Sequence, residues 1–96
     1  MKTNSFNIEE IVHSISNVLY SDKTGGLVYR EESSNSTGFA STKIKSMRLF
    51  EVKNSTLIEL IKYNYVISPK DNEQNKEQEL NFIGLMVNTL IKYRIT

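Results

Sequence analysis

Two segments near the C-terminal end of the chain are apolar around most of their circumference if they are helical. Only three polar side chains interrupt residues 57–67, and residues 80–93 contain nine apolar ones. A helix of this composition has to be covered on several sides. A chain of 96 residues has little further material for enclosing two such helices. This feature therefore predicts a C-terminal helical hairpin and a surplus apolar surface that a second copy of the chain covers.

Length and composition limit the remaining possibilities. The length predicts a single domain, residues 1–96. The absence of cysteine excludes disulfides, thiolate metal sites and a cysteine nucleophile, and it is typical of a reducing compartment. Glu9 and Glu10 interrupt the apolar core that a signal peptide would need, and no apolar run approaches the length of a membrane helix. We therefore expect a soluble, cytoplasmic protein with no membrane association.

The first helix has the clearest pattern in the sequence. Its apolar residues recur at spacings of three and four, which predicts an amphipathic helix over residues 8–20. Asn7 stands where it can cap the helix, with Glu10 three residues later, as in a capping box. Gly25 and Gly26 then end the helical region because paired glycines are unfavourable inside an element.

A strand follows the glycines. Residues 27–32 alternate and favour β-structure, and the polar loop Ser33–Gly38 turns the chain so that residues 39–45 pair back on the strand. Residues 41–53 are ambiguous. Ala40, Ile44 and Met47 fit a helical stripe, whereas residues 47–52 have the apolar density of a strand. We favour a three-stranded meander and keep the partly helical alternative.

A capping box at Thr56 and Glu59 predicts a second helix that ends before Ser68 and Pro69. A third helix is predicted over residues 74–94, with acidic residues in its first turns and basic ones in its last. The predicted fold is α+β, with an N-terminal helix, a small antiparallel meander of two or three strands and a C-terminal helical hairpin.

The predicted self-association surface lies on the third helix. One of its sides carries Phe82, Leu85, Met86 and Tyr93, away from the side expected to face the core. Gly84 supports close approach of another backbone, because glycine inside a helix is unfavourable and is often kept for packing. We expect a homodimer through this side.

No group of residues predicts catalysis or a cofactor. His13 is the only histidine, and its position off the apolar stripe of the first helix favours a solvated side chain. The neighbouring carboxylates Glu31 and Glu32 point to opposite sides of a strand, and no further potential metal ligand lies near them in the sequence. We therefore expect no enzymatic activity, no metal and no cofactor.

A basic segment in the centre of the chain gives the alternative function. Lys43, Lys45, Arg48 and Lys53 oppose only Glu51 between residues 43 and 53, and Tyr29 on the neighbouring strand could supply a stacking platform. In a strand, however, Arg48 faces away from the three lysines. The sequence thus predicts a protein-interaction module of regulatory, adaptor or inhibitor type, acting as a homo-oligomer with an unidentified protein partner. The alternative is a small nucleic-acid-binding protein.

Overall fold

The computed structural model describes residues 7–35 and 42–95, with the backbone alone for residues 93–95. The described elements are α1 (Ile8–Leu19), β1 (Gly26–Asn35), β2 (Lys43–Lys53), β3 (Thr56–Ile67) and α2 (Asn72–Ile95). The strands form one antiparallel sheet in the order β1-β2-β3. The predicted α+β class is confirmed, and the sheet has three antiparallel strands. The strands differ from the predicted ones, because the predicted third strand, residues 47–52, is part of β2. Of the predicted first loop, residues 33–35 belong to β1 and residues 36–38 lie outside the described residues.

The first helix begins as the sequence predicts. The backbone N–H of Glu10 donates to the side chain of Asn7 at 3.2 Å, which satisfies one of the amides that a helix start leaves open. At the other end, the backbone N–H of Leu27 donates to the Ser16 hydroxyl at 3.0 Å. This bond fixes the start of β1 against α1.

Both helices pack on the same face of the sheet. The central strand supplies Met47 and Leu49, which are fully buried, and α2 supplies the fully buried Phe82 and Met86. The ring of Tyr29 on β1 contacts Phe82, with the ring centroids 5.7 Å apart. The core contains Ile8, Val12, Met47, Leu49, Ile61, Tyr65, Phe82, Met86 and Leu90. We call this side of the sheet the covered face.

The predicted C-terminal helical hairpin is wrong. Residues 56–67 form the edge strand β3, so the described part of the chain contains two helices and the sheet gains its third strand here. A register irregularity opposite Leu49 and Phe50 inserts one extra residue into β3. It places Ile58 and Ile61, three residues apart, on the same face. A bulge thus reproduces the three-residue apolar spacing of a helix.

The turn between β2 and β3 is a two-residue hairpin turn. Its central residues, Asn54 and Ser55, have positive φ angles of 53° and 63°. Two consecutive residues of this kind are the signature of a type I′ turn, whose twist matches that of the flanking strands. Asn tolerates the left-handed region, whereas Ser is strained there.

Helix α2 is fixed to the end of β3 by side-chain hydrogen bonds. The Asn75 side chain accepts from the backbone N–H of Ser68 and donates to the Ser68 carbonyl, both at 2.8 Å. The Asp71 carboxylate accepts from the backbone N–H of Gln74 at 3.1 Å and caps the helix. Further along, the hydroxyl of Tyr63 donates to Gln78. These bonds hold α2 across the covered face.

The strain at Ser55 predicts that Ser55→Gly stabilises the protein. Glycine removes a left-handed penalty of about 1 kcal/mol or more but increases the entropy of the unfolded chain, so we expect a net gain of up to about 1 kcal/mol. Urea unfolding measures this change. The matched control is Ser33→Gly in the exposed part of β1, which should destabilise the protein. Equal destabilisation by both variants would contradict the turn assignment.

Candidate functional site

The face of the sheet opposite the core is the first candidate site. Side chains alternate between the two faces along each strand. Met47, Leu49 and their register partners on β1 and β3 therefore point to the helices, and the residues that alternate with them point to the opposite face. Among the described residues, both helices contribute to the core on the covered face, and neither lies on the opposite one. We call this opposite side the uncovered face.

Three cations form a line across the uncovered face. Arg48 on the central strand is the register partner of Arg30 on β1 and of Lys62 on β3. Like charges directly opposite each other on neighbouring strands destabilise a sheet. We call Arg30, Arg48 and Lys62 the cationic row. Its positive charge is concentrated on one strip that runs perpendicular to the strands.

Phe50 lies beneath the cationic row. The guanidinium carbon of Arg48 is 4.9 Å from the centroid of its ring and that of Arg30 is 5.8 Å away, so both make cation–π contacts. Phe50 is only 7% exposed although no described helix covers it, and the two guanidinium groups contribute to its cover. Two carboxylates accompany the row: Arg48 Nε lies 3.1 Å from Glu59 Oε1, and Glu32 follows Arg30 on the same face of β1.

A second group of polar residues lies on the covered face, between the sheet and α2. The Nζ atom of Lys45 is 2.9 Å from Glu79 and 3.4 Å from Glu31, and it is mostly buried. The hydroxyl of Tyr65 donates to Glu79 at 3.2 Å, and that of Tyr29 donates to Glu31 at 2.6 Å. We call these five residues the ion-pair cluster. It joins all three strands to α2 and borders a cleft of about 460 Å³.

Three groups of the ion-pair cluster have pKa values raised above their ordinary ones. Burial, together with the hydrogen bond to Glu31, raises the pKa of Tyr29 well above its ordinary value. Burial also raises the pKa of Tyr65. Burial by itself lowers the pKa of Lys45, but the hydrogen bond and charge of Glu79 outweigh it and the net shift is upward. Near pH 7 the lysine is therefore charged and both phenols are neutral, which suits structural ion pairing better than proton transfer.

Glu51 is a further buried carboxylate on the covered face. It is 6% exposed, and one of its oxygens accepts a hydrogen bond from the hydroxyl of Tyr20. Its other oxygen, Oε1, has no hydrogen-bond partner among the described residues. This pair connects the end of α1 to the central strand.

The structure corrects the predicted self-association surface on α2. Phe82 and Met86 are 0% exposed and belong to the core, so they cannot contact a second copy. Leu85 is 43% exposed, while the Tyr93 side chain lies outside the described part of the chain. The prediction failed because apolar residues surround this helix and the sequence alone does not identify the side that meets the sheet.

A different side of α2 carries the exposed apolar residues. Leu80, Val87 and Ile91 are 50%, 40% and 52% exposed, and Gly84 lies between them with open space around the position of a Cβ atom. Their spacings of four, three and four residues place them along one line of a helix. We call Leu80, Gly84, Val87 and Ile91 the outer stripe.

The residues of the predicted nucleic-acid surface do not form one surface. Lys45 and Tyr29 belong to the ion-pair cluster on the covered face, whereas Arg48 points to the uncovered face. Lys43 and Lys53 are exposed at opposite ends of β2. The sequence missed Arg30 and Lys62 as partners of Arg48. Only the strand register brings them together, and Lys62 lay in a segment predicted to be helical.

The pKa shifts predict how stability changes in alkali and what Tyr29→Phe does to it. Because folding raises the pKa of Tyr29, its contribution to the free energy of unfolding is complete below about pH 10 and is lost above that pH. Lys45 and Tyr65 have raised pKa values as well, so stability falls above about pH 10. In Tyr29→Phe the free energy of unfolding should fall less steeply with pH than in the wild-type protein. The difference between the two slopes should be smaller than about 1.4 kcal/mol per pH unit. Urea unfolding across this pH range tests it, and equal slopes in both proteins would contradict it.

Comparisons of the chain with protein-family models, with curated proteins and with solved structures find no match. Within the part of the chain that the structure describes, no helix is long and apolar enough to cross a membrane. The same residues contain no group of three or more His, Cys, Asp or Glu side chains that could hold a metal ion. The outer stripe and the uncovered face are the two candidate interaction surfaces of the described residues.

Proposed function

We propose that this protein is a non-enzymatic interaction module that works as a homodimer, with two copies joined through the outer stripe of α2. The observation that supports the proposal is the exposure of Leu80, Val87 and Ile91 on one line of a helix whose opposite side already forms the core. Contiguous exposed apolar surface of this kind marks interaction sites. The absence of cysteine in the sequence is compatible with a cytoplasmic site of action, which we propose as well.

The spacing of the outer stripe favours another helix as its partner. Apolar residues that alternate at spacings of four and three are the pattern by which two helices pack side by side. The pattern covers only part of α2, so it predicts a short helix pair. Gly84 has no atoms within contact distance of a Cβ position, which leaves room for a side chain of the partner helix.

The sizes of the four side chains suit a second, antiparallel copy of α2. A two-fold axis midway between positions 85 and 86 pairs Leu80 with Ile91 of the other copy and Gly84 with Val87. Each pair then combines different shapes, and the small glycine receives the branched valine. A C₂ interface is self-complementary by construction, so one stripe serves both copies.

Charge also favours the antiparallel arrangement. Continuing the same spacing adds position 77 before the stripe and position 94 after it, which are Glu and Arg in the sequence. The antiparallel pairing sets Glu77 of each copy against the position of Arg94 in the other. A parallel pairing would oppose identical charges at both ends. Antiparallel helix dipoles favour the same choice.

In this arrangement the uncovered faces of both sheets stay free. The outer stripe belongs to the side of α2 that does not contact the sheet, and the uncovered face is on the far side of the sheet from α2. The dimer would therefore present two identical sheet faces to other molecules. Two linked copies of a weak binding face bind a multivalent partner more tightly than one does.

A pair of matched substitutions tests the proposal. Leu80→Glu inserts a charge into the outer stripe and should convert the dimer to a monomer with an unchanged far-UV circular dichroism spectrum. Leu85→Glu makes the same change at a similarly exposed position on another side of α2 and should leave the dimer intact. Size-exclusion chromatography with light scattering gives the mass of each species. A wild-type protein that is monomeric at micromolar concentration would overturn the proposal. So would a result in which Leu85→Glu is a monomer while Leu80→Glu remains a dimer.

A further inference from the structure

The cation–π contacts of Arg30 and Arg48 with Phe50 account for only part of the cationic row, because they do not compensate its charge. Arg30, Arg48 and Lys62 occupy register partners on three adjacent strands, an arrangement that repulsion between like charges disfavours. Arg48 has an ion pair with Glu59. Neither Arg30 nor Lys62 has a carboxylate partner among the residues that the structure describes. The uncovered face therefore carries three cations against two carboxylates, Glu59 and Glu32, and its net charge is positive.

We propose that the uncovered face binds single-stranded nucleic acid, whose phosphates follow the cationic row across the strands. Neighbouring strands lie about 4.8 Å apart, so the row extends roughly 10 Å across the sheet. A polyanion with regularly spaced charges matches such a row of cations. Binding of phosphates also releases counterions, which supplies most of the affinity when binding does not depend on sequence.

The surroundings of the row can contact bases as well as phosphates. Phe50 supports the guanidinium groups of Arg30 and Arg48 from below, and a guanidinium plane can stack on an unpaired base. In the next register row, Ser46 lies between Glu32 on β1 and Asn64 on β3, and all three side chains point to the uncovered face. Ser46 and Asn64 offer neutral hydrogen-bonding groups for base edges, on the side of the row away from Glu32.

A single strand fits this face better than a protein or a duplex does. Protein interfaces are depleted in Lys but enriched in Arg, so it is the adjacency of three cations, rather than their residue types, that favours a polyanion. Its most exposed apolar residues, Leu57 and Val66, lie near the two ends of β3. A second copy would bring two cationic rows together. A duplex hides its bases in grooves that a flat sheet face cannot enter, whereas a single strand presents them for stacking.

Fluorescence anisotropy with a fluorescein-labelled oligouridylate of about twelve nucleotides tests the proposal. The wild-type protein should bind at low salt, and the logarithm of its affinity should fall with the logarithm of salt concentration with a slope of about −2, as expected for three phosphate contacts on a single strand. The triple variant Arg30→Gln, Arg48→Gln and Lys62→Gln should lose at least about tenfold in affinity.

The control variant carries the same change in net charge away from the uncovered face. Lys23→Gln, Lys53→Gln and Lys70→Gln alter three exposed lysines in loops and at a strand end, and this protein should keep its affinity within about twofold, because long-range charge is screened by salt. Leu80→Glu, which alters only the outer stripe, should bind the oligonucleotide with unchanged affinity per chain. The inference therefore does not depend on the dimer.

Three results would overturn the inference. The first is absence of binding to the oligouridylate at low salt. The second is an equal loss of affinity in the triple variant and its control, which would show that affinity depends on the net charge of the protein and not on the cationic row. The third is tighter binding to a labelled polyglutamate peptide or to a duplex than to the single strand, which would assign the face to an acidic protein or to double-stranded nucleic acid.

Discussion

The rest of the structure depends on the packing of both helices against the same face of a three-stranded sheet. Met47 and Leu49 of the central strand are fully buried beneath Phe82 and Met86 of α2 and the residues of α1. Since both described helices pack on this face, the part of the chain that the structure describes leaves the other face of the sheet in contact with solvent. Arg30 and Arg48 stabilise that other face locally by covering the ring of Phe50. The same packing turns the outer stripe of α2 away from the core, and the two candidate surfaces therefore have a common cause.

The polar contacts beneath α2 add specificity to this packing. A buried lysine between two carboxylates gives little net stability by itself, because desolvation offsets much of the attraction. Lys45 nevertheless reaches Glu79 on α2 and Glu31 on β1 from the central strand. Sliding α2 along the sheet would leave this lysine unpaired in a buried site. The ion-pair cluster thus defines the position of α2 and, through it, the direction in which the outer stripe points.

The sequence predicted the elements whose signals are local. The cap at Asn7, the stripe of α1 and the breaking effect of Gly25 and Gly26 depend on near neighbours, and the structure confirms α1 and the strand that follows. The sequence did not predict β3, because a bulge places Ile58 and Ile61 on one face of the sheet at the spacing of a helix turn. A bulge is defined by its partner strand, so no pattern within residues 56–67 reveals it. The same limit applies to the candidate sites: the cationic row exists only through strand register, and the outer stripe can be identified only once Phe82 and Met86 are known to face the sheet.

In the proposed dimer, two copies join through the outer stripe with their α2 helices antiparallel. Because the chain has no cysteine, a spin label on Glu73→Cys would be the only label in each copy, and electron paramagnetic resonance measures the distance between the two. Position 73 lies 12.5 residues from the proposed two-fold axis, so we expect a distance of about 40 Å at a helix rise of 1.5 Å per residue. A distance of about 10 to 20 Å, as side-by-side parallel helices would give, or no distance between copies at all, would contradict it.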